Sequence, residues 1–196
     1  MIDYIKGTIA ELSPAELVLE NNGIGYSILI SLQTYQALQE KKDAKVFIFH
    51  YLREDTEEYY GFASKDEREL FELLISVSGI GVASARMMLS SLSAEEIRQA
   101  ILSEDVSRIK SVKGIGVKSA QRLIIELKDK VVKGEGSDSS ELFGGPARSE
   151  IVEEASRALI MLGFAKPAVN KAIQAILKAN PNAKVEQIIK SALQMM

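Results

Sequence analysis

The first 62 residues alternate between short β-branched or aromatic runs and polar breaks, a pattern typical of β-strands. The five runs read "YIKGTIAEL", "AELVLEN", "GYSILIS", "KVFIFHY" and "EYYGFA". Turn-forming sequences occupy 21–23 and 53–56. Residues 31–40 have the composition of one short helix, with Ser31 as its N-cap. Five short strands and a helix in about 60 residues predict a small barrel of the OB type.

After residue 64 the spacing of apolar residues becomes helical. "ERELFELLISV" and "VSRIKSV" show it, and residues 93–96 form a capping-box sequence. We therefore expect about five short helices across 65–131. Helical stripes return after residue 149, where Gly163 is placed to end one helix and Pro167 to open the next. With a third stripe after Asn180 and Pro181, the C-terminal region is predicted to be a three-helix bundle.

Between these helical regions lies "KGEGSDSSELFGGPAR", a composition that cannot supply a packed core. We therefore interpret it as a flexible linker. The sequence predicts a multidomain α+β protein with an OB-like barrel at 1–63, an all-α domain at 64–132, the linker at 133–148 and a three-helix domain at 149–196.

One turn sequence occurs twice in the central region, as "SVSGIGVASARM" at 76–87 and "SVKGIGVKSAQR" at 111–122. Aligning 75–86 on 110–121 gives 8 identities in 12 positions. In each copy the first glycine can adopt positive φ and end a helix, and the second leaves no Cβ to hinder a close approach. The amides that follow open the next helix, and such amides bind phosphate. The glycines are Gly79, Gly81, Gly114 and Gly116.

The two copies differ in charge. The second copy surrounds its turn with Lys113, Lys118 and Arg122, whereas the first has uncharged residues at the matching positions and a basic Arg86 one position away. Those uncharged residues are Ser78, Ala83 and Met87. The turns could simply join packed helices, but their repetition and the basic residues favour phosphate binding. Neither copy fits a Walker A loop or a dinucleotide fingerprint, so we expect no nucleotide-hydrolysis site.

The charge distribution points to one polyanionic partner. The net charge is −3, yet residues 1–62 hold 5 basic and 10 acidic side chains, whereas residues 106–133 hold 8 basic and 2 acidic. A basic face on an acidic protein suggests a polyanion bound at one place only.

Several absences narrow the function further. The chain has no Cys and a single His, which excludes thiolate chemistry and argues against a His-based metal site. We expect no catalytic residue, no metal and no cofactor. No apolar run approaches the roughly 18–20 residues of a membrane span, and no signal peptide is visible, so we expect a cytoplasmic protein.

The predicted domains follow one order: a barrel, tandem helix–hairpin–helix turns, a Gly/Ser-rich tether and a three-helix tail. The middle of the chain reads "HYLREDTEEYYGFASKDERELFELLISVSGIG". Over its whole length, the chain resembles the RuvA family of bacterial Holliday junction branch-migration proteins. The resemblance implies a non-catalytic, four-fold symmetric tetramer; one tetramer, or two sandwiching the junction, holds four-way junction DNA open. The implied protein partners are the RuvB-type hexameric AAA+ motor and the junction resolvase of the same complex. The implied tail is UBA-like and recruits the motor.

The resemblance also assigns roles to residues. Phosphate contacts carry over to the four hairpin glycines and to Lys113, Lys118 and Arg122. Glu54 and Asp55 match the family's acidic pin, with Arg53 beside them. Many relatives have a basic residue where this chain has Ala83, so we expect the first hairpin to contribute its amides. In "LIMLGF", the candidate motor-binding residues are Leu159, Leu162 and Phe164; Leu159 is alternatively a core residue, and Phe164 is expected to be exposed.

Other functions remain open on sequence alone. A helix–hairpin–helix repair enzyme, either glycosylase or nuclease, is the main alternative, although the chain has no Trp and clusters acidic residues only at 54–58. A non-DNA adaptor is a third possibility. His50 is interpreted as a packing residue. The aromatic side chains Tyr59, Tyr60 and Phe62 could stack on bases, but core or subunit packing is the favoured interpretation.

Overall fold

The computed structural model describes residues 2–134, 146–181 and 183–195. The chain divides into two compact units, Met1–Val132 and Lys133–Met196. Each unit has its own hydrophobic core among the described residues.

The first unit begins with a closed barrel, in which the described residues form five strands in the order β1-β2-β3-β5-β4. Neighbouring strands are antiparallel, except that β3 and β5 pair in parallel. The predicted barrel is therefore confirmed. The strands are β1 (Tyr4–Leu12), β2 (Glu16–Asn21), β3 (Ile24–Ile30), β4 (Asp43–Leu52) and β5 (Glu57–Phe62).

Side chains from alternate residues of each strand fill the barrel interior. Leu17 and Leu19 on β2 and Ile28 and Ile30 on β3 are buried, whereas most residues between them are exposed or half-buried, as expected where successive side chains point to opposite faces of a strand. Helix α1 (Leu32–Leu38) then crosses to β4. It begins as predicted, because the Ser31 hydroxyl accepts a hydrogen bond from the Thr34 amide at 3.0 Å.

A group of helices follows the barrel directly. Phe62 and Tyr60 of β5 belong to the same buried cluster as the helical core, so barrel and helices share packing within this unit. The capping box predicted at residues 93–96 is present: Glu96 accepts from the Ser93 amide and Ser93 from the Glu96 amide. The helices are α2 (Lys65–Ile75), α3 (Val82–Ser91), α4 (Ala94–Leu102), α5 (Val106–Lys110) and α6 (Val117–Gly134).

A buried carboxylate joins the barrel to these helices. Glu67, in the first turn of α2, is only 7% exposed. Its oxygens accept from the Ser31 hydroxyl at 2.5 Å, the Thr34 hydroxyl at 2.8 Å and the Ala63 amide at 3.3 Å. One side chain therefore fastens the start of α1 to the start of α2, which sets the helices against the barrel.

The second unit contains the predicted three-helix bundle: α7 (Pro146–Met161), α8 (Lys166–Ala179) and α9 (Val185–Met195). Gly163 has φ +97° after α7, and Pro167 lies in the first turn of α8. The predicted linker at 133–148 falls mostly outside the described residues, and at its edges α6 continues to Gly134 while α7 already begins at Pro146. Among the described helices, none has the length and apolarity to cross a membrane.

Candidate nucleic-acid interface

The two repeated turns have the same backbone construction. Gly79 has φ +93° and Gly114 has φ +90°, the left-handed region that favours glycine. In both turns the amide of the residue after this glycine bonds back to the chain before the turn. Ile80 donates to the Val77 carbonyl at 3.0 Å, and Ile115 donates to the Val112 carbonyl at 3.1 Å. The sequence repeat is therefore a structural repeat.

Hydrophobic side chains anchor both turns from beneath. Ile80 is 4% exposed and Ile115 is 6% exposed, and both belong to the helical core. Burial of the isoleucine fixes each turn while its two glycines remain at the surface.

The second glycine of each turn opens onto free space. A Cβ placed on Gly81 or on Gly116 would meet no atom within 4 Å. Helix α3 begins after Gly81 with no side chain capping its first amides, so these donors face outward at the positive end of the helix dipole. The site can therefore accept a phosphate oxygen at short range.

The basic residues of the second hairpin are available at the surface. Lys113 and Lys118 are exposed and make no hydrogen bond or ion pair with the described residues. Arg122 is 55% exposed; its Nη1 donates to the Ser78 carbonyl at 3.3 Å, and its Nε lies 4.0 Å from Glu126. Arg86 donates instead to the Ala15 carbonyl at 3.1 Å, so it points away from the hairpin turn.

The acidic residues Glu54 and Asp55 lie exposed at the tip of the β4–β5 hairpin. The turn is closed by the Arg53 amide, which donates to the Thr56 carbonyl at 2.8 Å. The Arg53 guanidinium folds back onto β4, where it donates to the Tyr51 hydroxyl and lies 5.0 Å from that ring. The tip therefore presents two carboxylates while the neighbouring cation is held against the strand.

The barrel aromatics are committed to packing. Tyr60 and Phe62 are 4% and 1% exposed, so they do not offer a base-stacking face. Burial, reinforced by the Tyr60 hydroxyl donating to Glu58 at 2.7 Å, raises the pKa of Tyr60 well above its ordinary value. His50 lies 4.8 Å from the Tyr59 ring and 3.0 Å from the carboxylate of Glu57 on the neighbouring strand, consistent with a packing role. Within the described residues, no three acidic or histidine side chains come together as metal ligands.

The tail requires a correction. Leu159 is 0% exposed and belongs to the core of the second unit, and Phe164 is half-buried against the same core. Only Leu162 of the three candidates is well exposed, at 59%. The sequence analysis missed Met161, which is 88% exposed, and Ile160, which is 40% exposed. We call Ile160, Met161 and Leu162 the tail patch.

The chain reversal after α7 explains the correction. The Phe164 amide donates to the Leu159 carbonyl at 3.2 Å and the Gly163 amide to the Ile160 carbonyl at 2.9 Å, which is a Schellman motif. In this motif the residue after the left-handed glycine packs on the last turn of the helix. The glycine at 163 was therefore the sequence signal that Phe164 turns inward onto Leu159.

Comparisons with known proteins follow the same division of the chain. The family model "RuvA N terminal domain" matches residues 1–61, "SAM-like Helix-hairpin-helix tandem" matches residues 71–129, and "RuvA, C-terminal domain" matches residues 150–196.

Curated relatives match over nearly the whole chain. Proteins from Bacteroides fragilis and Bacteroides thetaiotaomicron are 52% and 51% identical, each alignment covering 98% of both chains. A protein from Parabacteroides distasonis is 48% identical over 100% of both. All three are named "Holliday junction branch migration complex subunit RuvA". With a closed barrel followed by twin glycine turns and a three-helix tail, and with this similarity over its full length, the chain belongs to the RuvA family.

Proposed function

We propose that the protein binds four-way DNA junctions as a four-fold symmetric tetramer and recruits a hexameric ATPase motor for branch migration in recombination and repair. The observation that carries this proposal is the pair of matching hairpin turns whose second glycines face open space. A DNA phosphate that approaches Gly81 or Gly116 meets outward amides and no Cβ. The relatives named as subunits of a Holliday junction branch migration complex support the junction as the form of DNA.

Binding through these turns is independent of base sequence. Amides, Lys113 and Lys118 would contact phosphates, which position a protein on DNA but carry no sequence information. A ring of four subunits presents four sets of hairpins, matching the four arms of a junction. We extend the proposal to a second tetramer on the opposite face, and to the junction resolvase acting on the same complex.

The acidic tip explains how a junction would be preferred over continuous duplex. Four copies of Glu54 and Asp55 bring about eight carboxylates to the four-fold axis. Their field repels phosphates over about a Debye length, roughly 8–10 Å at physiological salt. Duplex lying across the centre would place phosphates within that range, whereas an open junction would not. The pin therefore selects DNA shape by repulsion.

The tail patch is the proposed docking surface for the motor. Ile160, Met161 and Leu162 form three consecutive exposed apolar side chains at the end of α7, and exposed apolar clusters of this kind mark protein–protein contacts. They belong to the second compact unit. Contact with a moving motor can therefore be made by a part of the chain that has its own core.

In this proposal the chain supplies no catalytic group, and ATP hydrolysis belongs to the motor. Because the partner is chromosomal DNA, the proposal places the protein in the cytoplasm. A metal-dependent nuclease is the alternative of a different class, with Glu54 and Asp55 as its candidate ligands. Incubation with a labelled junction and Mg²⁺ separates the two: an intact, shifted junction supports the scaffold, and cleavage supports the nuclease.

The main test compares salt dependence in a double variant. Lys113→Ala/Lys118→Ala removes two phosphate-facing cations from each subunit, so junction binding should weaken. The slope of log K against log salt should flatten by about 0.9 for each phosphate that is no longer neutralised. Fluorescence anisotropy with a labelled four-way junction, from about 50 to 200 mM salt, measures this slope.

Lys171→Ala/Lys178→Ala is the matched control, because it removes the same charge from exposed positions on α8. It should leave the slope unchanged. An unaltered slope in the hairpin variant would contradict the assignment of the second hairpin. Light scattering tests the assembly: a complex whose mass equals that of the junction DNA plus a single 21.5 kDa chain would rule out the tetramer.

A further inference from the structure

The first hairpin lacks cations of its own. Where the second hairpin has Lys118 and Arg122 on its outgoing helix, the first has Ala83 and Met87, and Met87 is 44% exposed. Helix α3 begins with no side chain capping its first amides, and the space beside Gly81 is as open as that beside Gly116. A phosphate at the first turn would therefore find donors but no positive side chain from the same hairpin.

A cation from the second hairpin reaches this turn. Arg122 Nη1 donates to the Ser78 carbonyl at 3.3 Å, and Ser78 is the residue before Gly79. The start of α6 is close as well: a Cβ built on Gly79 would lie 3.9 Å from the Ser119 hydroxyl. The side chain of Arg122 therefore belongs to one hairpin by sequence and touches the other in space.

We propose that Arg122 serves the first hairpin, supplying the positive charge that its own helix lacks and orienting its turn. This inference rests on the proposed function, since it concerns how the same interface holds phosphate. A guanidinium has five donors, and Ser78 takes one. With the side chain 55% exposed and its Nε 4.0 Å from Glu126, the donors on the two terminal nitrogens can still reach a phosphate beside the Gly79–Gly81 turn.

The Ser78 contact also has an electrostatic consequence. A carbonyl oxygen next to the turn repels an approaching phosphate, and hydrogen bonding to a guanidinium offsets that repulsion. Lys113 and Lys118 make no such bond to the first turn, and along the sequence they flank the second. The interface thus holds two phosphates with three cations, one of which crosses between the hairpins.

A double-mutant cycle between positions 83 and 122 tests this assignment. Arg122→Met makes the position match Met87, and it should weaken junction binding by about tenfold or more, as expected for loss of a charge-assisted bond. Ala83→Lys gives the first hairpin a cation of its own. It should raise affinity by a factor about three times larger in the Arg122→Met protein than in the unaltered protein.

Equal gains from Ala83→Lys in both backgrounds would overturn the inference while leaving the proposed function intact. Failure of the unaltered protein to bind a junction would instead overturn the proposed function, and this inference with it. Arg157→Met, which removes one exposed charge from α7, is the matched control and should not change affinity. Arg122→Gln is a second variant, should the methionine impair folding, because it keeps a polar end and loses the charge.

A measurement without DNA tests the positioning part. The Ile80 amide donates to the Val77 carbonyl at 3.0 Å, and its hydrogen exchange should be faster in the Arg122→Met protein, because the turn loses its bond from α6. Exchange at the Ile115 amide, which makes the equivalent bond to the Val112 carbonyl, should stay the same. Unchanged exchange at the first turn would show that Arg122 does not hold it, and that result would overturn this half of the proposal.

Discussion

Glu67 shows how one residue can set the geometry of a DNA-binding surface. Its buried carboxyl group accepts hydrogen bonds from the hydroxyls of Ser31 and Thr34 and from the amide of Ala63. A buried polar group is tolerated only when its hydrogen bonds are satisfied in this way. Because these donors belong to the barrel side and Glu67 to α2, the network fixes the hairpin helices relative to the barrel that carries the acidic tip.

Replacing Glu67 with alanine should lower the free energy of unfolding by about 3 kcal/mol, because it leaves buried donors without an acceptor. Urea denaturation followed by circular dichroism measures this, at one protein concentration for all variants because assembly contributes to stability. Glu69→Ala, an exposed glutamate on the same helix, should change stability by less than about 0.5 kcal/mol. Equal losses of unfolding free energy in the two variants would show that the buried hydrogen bonds of Glu67 do not stabilise the contact between α2 and the barrel.

At the scale of the element, each hairpin turn separates two tasks between its glycines. Gly114 supplies a left-handed backbone, with φ +90°. Gly116 supplies an open surface, since nothing lies within 4 Å of a Cβ placed there. The first glycine therefore belongs to folding and the second to ligand approach.

Alanine substitutions at the two glycines should therefore affect different properties, stability at Gly114 and junction binding at Gly116. Gly114→Ala should destabilise the protein by about 1–2 kcal/mol, because it places a Cβ in the left-handed region. Gly116→Ala should leave the thermal midpoint nearly unchanged and weaken junction binding, because its methyl group occupies the space where phosphate approaches. Thermal unfolding and fluorescence anisotropy on both variants check this. A Gly116→Ala protein that binds junctions normally would show that the amides there do not hold phosphate.

At the scale of the whole molecule, two units with separate cores imply separable tasks. The hairpins and the acidic tip lie in the first unit, and the tail patch lies in the second. The proposed tetramer would hold DNA with the first unit while the second contacts the motor.

Ending the chain after Gly134 should preserve junction binding and abolish stimulation of the motor. Met161→Ser, a change at the most exposed residue of the tail patch, should reproduce the loss of motor stimulation in the full chain. Lys171→Ala, another exposed change in the tail, should not. Branch-migration assays with the partner ATPase measure both effects, and normal stimulation by the Met161→Ser protein would place the docking surface elsewhere.

The elements that sequence analysis predicted correctly are those governed by local rules. The five strands followed from β-branched and aromatic runs broken by turn sequences, α1 and α4 from their serine caps, and both hairpins from glycines that adopt positive φ. The tail was predicted less well at the side-chain level. Phe164 was expected to be exposed and Leu159 was left open between the motor-binding surface and the core, but the reversal at Gly163 packs both inward and leaves Met161 outside.

By itself, the sequence determined the order of barrel, twin turns and tail, because periodicity, caps and glycine conformations act over a few residues. Only the tertiary structure decided which side chains meet across long separations. It placed Arg122 on the turn of Ser78, and it buried Glu67 among hydroxyl donors that lie 36 and 33 residues away along the chain. Such contacts depend on how whole elements pack, and packing is a property of the folded molecule that no local pattern contains.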